Sequence, residues 1–105
     1  MGDRIGLRFK DEFGDVSEIL IHSHWLGRDL LKDAQYYHQQ IPESTKHDDC
    51  DTAIAKFLIW IGMNFGDTDT GYGLLENISI NVQTDEDDCE DNGVWTLNLV
   101  DGTIF

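Results

Sequence analysis

The spacing of apolar residues changes twice along this chain, and that change limits the fold more than any other feature of the sequence. Near the beginning, Ile5, Leu7 and Phe9 alternate with polar or small residues, and the same period of two returns near the end. In the middle, apolar residues recur every three or four positions. The first spacing is typical of half-buried strands and the second of amphipathic helices. We therefore expect two helices between two pairs of strands.

The boundaries of these elements follow from the residues that interrupt each pattern. Turn chemistry with Gly14 separates the first two strands, Pro42 ends the first helix, and Gly66 ends the second. The predicted strands are centred on Ile5–Phe9, Ser17–Trp25, Ile78–Val82 and Trp95–Leu99. The predicted helices cover Arg28–Gln40 and the apolar stretch from Ile54 to Phe65, preceded by Asp48, Asp49 and Asp51.

A single α+β domain over residues 1–105 accounts for this order. A chain of this length has room for one hydrophobic core, and 40% of its residues are apolar. Two hairpins that flank two helices can merge into one sheet and bury their apolar faces together. The sequence thus predicts an antiparallel four-stranded sheet, with elements in the order ββααββ and both helices packed on one face.

The formal net charge is −14, from 21 acidic and seven basic residues, and this charge limits the possible partners. A negative field opposes direct binding to a phosphate backbone, so no direct nucleic-acid contact is expected. The field favours a basic or nucleic-acid-binding protein as partner. Two other interpretations are open: the charge maintains solubility, or it is an adaptation to salt, which the ten Ile residues argue against.

The acidic residues are grouped in three segments, which we take as candidate partner-binding sites. Two groups border the second predicted helix, and the third lies between the last two predicted strands, where mutual repulsion should keep it extended. Carboxylates that meet along one edge could occupy sites built for phosphates. The candidate residues are Asp48, Asp49 and Asp51, then Asp67 and Asp69, then Asp85, Glu86, Asp87, Asp88, Glu90 and Asp91.

No metal site and no cofactor are expected from the sequence. Asp67 to Gly71 is similar to the start of a calcium-binding loop, but Tyr72 stands where that loop needs glycine and Ile78 where it needs glutamate. A zinc site would have to combine distant residues without the usual paired spacing. Those residues are His22, His24, His47, Cys50 and Cys89.

No catalytic residues are predicted either. An enzyme would need an acid and a base, or a nucleophile and a base, held by the fold. The only candidate for such a pair is a histidine, His22 or His24, with a neighbouring carboxylate. No oxyanion-hole or phosphate-loop motif accompanies these histidines. A small histidine-based or metal-dependent enzyme therefore remains the alternative function, and Cys50 is expected to pack as a small apolar residue.

Two short motifs carry a resemblance to known proteins. His24, Trp25 and Gly27 close the second predicted strand, and Asp91–Trp95 reads Asp-Asn-Gly-Val-Trp before the last one. In both respects the chain resembles small proteins of prokaryotes and their viruses that have no established activity. This resemblance implies the same order of elements and a microbial or viral origin, and it supplies no catalytic residues.

Charge, motifs and resemblance together lead to one expected function. We expect a non-enzymatic, virus-encoded inhibitor that binds a basic nucleic-acid-binding protein, by analogy with anti-CRISPR proteins and DNA mimics. A cytoplasmic location is expected, in the host cytoplasm if the chain is viral, because the N-terminal residues do not resemble a secretory signal. The longest apolar run, Ile54–Phe65, is too short to span a membrane. A homodimer through an uncovered sheet face is a further possibility.

Overall fold

The computed structural model describes residues 3–23, 26–65, 78–82 and 91–105. Its strands and helices follow one another in the order β1 Ile5–Lys10, β2 Ile19–Ser23, α1 Asp29–Gln40, a 3-10 helix Glu43–His47, α2 Cys50–Phe65, β3 Ile78–Val82 and β4 Val94–Asn98. In this described part of the chain, no helix has the length and apolar character needed to cross a membrane.

The sheet is mixed, so the predicted antiparallel four-stranded sheet is wrong. Its described strands lie in the order β3-β2-β1-β4, so β2 and β1 are central and β3 and β4 are at the edges. The β1–β2 and β2–β3 pairs are antiparallel, whereas β4 runs parallel to β1, with Gly6 opposite Val94 and Lys10 opposite Asn98. The first and last strands of the chain are therefore neighbours.

The error comes from the assumption that strands adjacent in sequence form hairpins. This assumption is correct for β1 and β2, which the turn at Asp11–Asp15 connects. It fails for β3 and β4, which lie at opposite edges of the sheet. β3 and β4 consequently do not form a hairpin.

One hydrophobic core joins the helices to the sheet. Ile5, Leu7 and Phe9 alternate along β1 and are fully buried. Both helices pack on this face, α1 through Leu30, Ala34 and Tyr37 and α2 through Ala53, Ile54, Phe57 and Ile61. These residues recur at helical spacing, so each helix buries one stripe. The core thereby holds the start of α2 close to the end of β1.

Asp11 fixes that position with a buried carboxylate. Its Oδ1 atom accepts hydrogen bonds from the backbone N–H groups of Phe13 and Asp15, both at 3.0 Å. Its Oδ2 atom accepts a hydrogen bond from the backbone N–H of Cys50, the first residue of α2, at 3.2 Å. The first N–H groups of a helix have no partner within the helix, and Asp11 supplies one. One side chain thus connects the β1–β2 turn to α2.

The last residues of the described chain cover the outer edge of β4. The backbone of Thr96 exchanges two hydrogen bonds with Phe105, and the turn between them closes where Gly102 donates to the carbonyl of Asn98 at 2.8 Å. Gly102 has a φ of +81°, and a Cβ atom there would lie 2.7 Å from Nδ1 of His38. His38 is itself held by a 2.9 Å hydrogen bond to the Leu99 carbonyl.

Replacing Asp11 with alanine should lower the free energy of unfolding by about 2–4 kcal/mol, because three backbone N–H groups lose their acceptor. Asp15→Ala is the matched control, since the Asp15 carboxylate is exposed, and we expect a change within about 0.5 kcal/mol. Urea unfolding measures both values. An Asp11→Ala variant as stable as Asp15→Ala would contradict this role.

Because of Asp11, the free energy of unfolding should decrease at low pH. Burial acts to raise the pKa of Asp11, but hydrogen bonds from the backbone of Cys50, Asp15 and Phe13 outweigh it and leave this pKa below the ordinary 3.8. The stabilisation is complete above the unfolded-state pKa and is lost as the pH falls through the folded-state value. Urea titrations at decreasing pH should show that loss in the wild type and a smaller one in Asp11→Ala.

Gly102→Ala should destabilise the protein by about 2–3 kcal/mol, because it adds a clash with His38 to an unfavourable backbone conformation. Gly14→Ala is the control: Gly14 has a similar φ of +84°, but nothing lies within 4 Å of the added Cβ atom. That variant should lose only about 1 kcal/mol. Equal thermal unfolding midpoints for the two variants would refute the contact with His38.

Candidate acidic binding site at the start of helix α2

An open pocket with a volume of about 320 Å³ lies where the β1–β2 turn meets the start of α2. Its walls are mostly carboxylates. They come from two segments that are far apart in sequence, the turn and its continuation on one side and the first residues of α2 on the other. The lining residues are Asp11, Asp15, Val16, Glu18, Asp49, Cys50 and Asp51. We call this feature the acidic pocket.

Part of this acidity serves the fold. Asp49 caps α2: its Oδ2 atom accepts a hydrogen bond from the Thr52 backbone N–H at 3.1 Å, and its Oδ1 atom accepts one from the Thr52 hydroxyl at 2.7 Å. The hydrogen bonds from Thr52 lower the pKa of Asp49. The neighbouring Asp48, which is not one of the lining residues, binds the ammonium group of Lys56 at 2.6 Å. Both carboxylates therefore have partners within the chain.

Three other carboxylates of the acidic pocket are unused by the fold. Asp15, Glu18 and Asp51 are exposed, and within the described residues their side chains have neither an ion pair nor a hydrogen bond. The positive end of the α2 dipole favours negative charge at this place, which lowers the cost of assembling the carboxylates. The pocket can therefore accept hydrogen bonds from a cationic group that enters from outside.

Cys50 contributes structure rather than reactivity to the acidic pocket. It is only 6% exposed and packs in the core, as predicted from the sequence. Burial, together with the charges of Asp51 and Asp11, raises the pKa of its thiol to about 11. The thiol is thus protonated at neutral pH, and a protonated thiol is a poor nucleophile.

The side chain of His47 connects the 3-10 helix to the β1–β2 turn beside the acidic pocket. Its Nδ1 atom lies 2.6 Å from Oε2 of Glu12, and its Nε2 atom lies 3.4 Å from Oε1 of Glu43. The hydrogen bond with Glu12 is the main cause that raises the pKa of His47, and the contact with Glu43 adds to it. The protonated ring neutralises part of the acidic surroundings.

The predicted acidic clusters have different outcomes. Asp48, Asp49 and Asp51 lie at the start of α2 as expected, and only Asp51 has no partner among the described residues. Asp91 is engaged with Arg4, whose backbone N–H and Nε atom both donate to Oδ2 of Asp91 at 3.0 Å. The remaining candidates lie outside the described residues: Asp67, Asp69, Asp85, Glu86, Asp87, Asp88 and Glu90.

The register of β3 shows at which side of the sheet this strand ends. Val82, the last residue of β3, pairs with Ile19, the first residue of β2. Ile19 follows Glu18 directly, so β3 ends at the side of the sheet that carries the acidic pocket. The segment Asp85–Glu90 follows three residues later in the sequence.

Sequence reasoning missed Asp11, Asp15 and Glu18. The sequence places Asp11 and Asp15 in a turn and Glu18 in the second predicted strand. Their approach to α2 depends on the contact between Asp11 and Cys50, which are 39 positions apart. One signal was available: the segment Asp11–Glu18 contains four acidic residues, Asp11, Glu12, Asp15 and Glu18. That density exceeds what a turn between two strands requires.

The described residues contain no group of three or more His, Cys, Asp or Glu side chains arranged to hold a metal ion. Two members of the conceivable zinc set have other contacts: His47 binds Glu12, and Cys50 interacts with Asp11. His22 lies in β2, whereas His24 and Cys89 lie outside the described residues.

An NMR titration of the His47 ring should give a pKa above the ordinary value of 6.5, and Glu12→Gln should bring it back towards that value. Because the folded-state pKa is the higher one, the stabilisation by the protonated ring is complete below about pH 6.5 and is lost as the pH rises through the folded-state value. Glu18→Gln, which does not contact His47, is the control and should leave the titration unchanged. An ordinary pKa in the wild type would refute the contact.

Comparison with known proteins gives no relative for this chain. No protein-family model matches the sequence, and no curated protein and no solved structure matches the chain. The relevant observations are the lining of the acidic pocket, the internal partners of its carboxylates and the charge of the whole chain.

Proposed function

We propose that this chain is a non-enzymatic interaction protein that uses the acidic pocket to bind a basic, nucleic-acid-binding protein. The observation that carries the proposal is the group of three exposed carboxylates, Asp15, Glu18 and Asp51, which have no described partner around one pocket. Charged groups brought this close repel one another, and an incoming cation relieves that repulsion.

The chemistry of the acidic pocket suits a guanidinium or ammonium group. Carboxylates accept hydrogen bonds from both, and a planar guanidinium can bind one carboxylate through two parallel hydrogen bonds. Val16, which is 37% exposed, also lines the pocket and offers an apolar surface to the stem of an arginine or lysine side chain. The pocket therefore favours a basic side chain over an isolated inorganic cation.

The net charge of −14 favours one class of partner. Proteins that bind DNA or RNA present basic surfaces to phosphates, and a strongly negative protein is attracted to the same surfaces. Binding there would exclude nucleic acid, so the proposed function is that of an inhibitor. A cytoplasmic location belongs to this proposal, as does a viral origin.

The alternative functions stay predictions. An enzyme based on His22 and His24 gains no support from the acidic pocket. His22 is not among the described residues that line the pocket, and His24 lies outside the described part of the chain. A protonated Cys50 thiol offers no nucleophile there either. Homodimerisation through the sheet is likewise not favoured by any contact described above.

The proposal is tested with two variants that remove equal charge. Asp15→Asn/Asp51→Asn neutralises two pocket carboxylates, and Asp29→Asn/Asp33→Asn neutralises two on α1. Binding to an oligolysine peptide, measured by calorimetry at low salt, should weaken roughly fivefold in the pocket variant, at about 0.5 kcal/mol per exposed pair. The α1 variant should retain most of the wild-type affinity. Equal losses in both would show that only the total charge matters and would refute the pocket as the site.

A further inference from the structure

The outer face of α2 joins the acidic pocket to an exposed apolar surface. Asp51, Thr52, Ala55, Ile59 and Met63 are all exposed, and their spacing of one, three or four positions places them on the side of the helix turned away from the core. Ile59 is 63% exposed and Met63 is 80% exposed. The face is thus acidic at the start of α2 and apolar near its end.

The apolar end is widened by α1. The Tyr36 ring lies 5.9 Å from the Trp60 ring, and Tyr36 is 50% exposed. Trp60 is held in place by a hydrogen bond from its indole N–H to Oε1 of Gln40 at 3.1 Å. Aromatic side chains with fixed orientations are common at the centres of protein interfaces. We call this surface the apolar patch; it consists of Ile59, Met63, Tyr36 and Trp60.

Among the described residues, one charged group on the outer face of α2 has an ion-pair partner. Lys56, also on the outer face, is paired with Asp48 at 2.6 Å and so adds no free positive charge. Asp51 at the start of the face has no partner among the described residues, and the acidic pocket continues its negative charge. A complementary ligand must therefore be basic opposite the start of α2 and apolar opposite its end.

We infer that a segment of the partner binds along the outer face of α2, with basic side chains in the acidic pocket and apolar side chains on the apolar patch. This inference rests on the proposed function and names the form of the partner: an amphipathic basic segment. Asp51 and Met63 are about 18 Å apart along the helix axis, so an amphipathic helix of about three to four turns reaches both.

A second copy of this chain fits the face less well. Two copies paired antiparallel along α2 would set the carboxylates of each against the apolar patch of the other, which leaves charges without partners. Two copies paired in parallel would set Asp51 against Asp51. The net charge of −14 on each copy opposes either arrangement.

The test compares two peptides with the same number of lysines, an oligolysine peptide and an amphipathic leucine–lysine peptide. The wild type should bind the leucine–lysine peptide at least tenfold more tightly. Ile59→Ser/Met63→Ser should abolish this preference and leave oligolysine binding unchanged, because both side chains are largely exposed in the free protein. Val100→Ser/Phe105→Ser, which removes exposed apolar groups elsewhere, should keep the preference.

The outcomes separate this inference from the proposed function. If the wild type binds both peptides equally, or the α2 variant keeps the preference, the inference fails while oligolysine binding at the acidic pocket stands. If neither peptide binds, both fail. Sedimentation velocity over a range of concentrations supplies a further check. If the wild type forms a dimer and Ile59→Ser/Met63→Ser is a monomer, the face binds a second copy of this chain, and the inference is overturned.

Discussion

The carboxylate of Asp11 is the interaction on which the arrangement of this molecule depends. It ends β1, orders the turn that follows, and supplies an acceptor to the first N–H group of α2. A buried charge costs free energy unless it is well hydrogen-bonded, and three backbone donors satisfy this one. Helix α2 is thereby fixed at the end of the sheet where the turn carboxylates lie. The interaction that orders the fold also assembles the acidic pocket.

The acidity of the chain therefore has two physical roles that composition does not distinguish. Asp11, Asp48 and Asp49 form hydrogen bonds and an ion pair that stabilise α2. In contrast, the side chains of Asp15, Glu18 and Asp51 are exposed to solvent. The first group contributes to stability because its negative charge meets the positive end of a helix or a lysine. The second group has no structural use in the described chain, which is why we propose a binding role for it.

The sequence predicts local features of this fold well and non-local features poorly. The sequence predicts the first helix at Arg28–Gln40, and it occurs at Asp29–Gln40, because the hydrophobic period and Pro42 are local signals. The strand that pairs with β3 is not predictable from the sequence, since the alternating pattern of β3 fits pairing with β2 or with β4 equally well. The same division holds for the candidate site. The sequence places Asp48, Asp49 and Asp51 at the start of a helix, which is a local signal, whereas Asp15 and Glu18 reach that helix only through the tertiary contact of Asp11.

The parallel pairing of β1 with β4 has a consequence for how the molecule folds. Arg8 and Thr96, neighbours in this pair with a 3.0 Å hydrogen bond between their side chains, are separated by 88 positions. Closing so long a loop costs entropy before any contact compensates for it, and such topologies fold slowly. During synthesis β1 has one edge unpaired until the ribosome has released residues 94–105. The pairing of β4 with β1 is therefore the step of folding that closes the longest loop between the described strands.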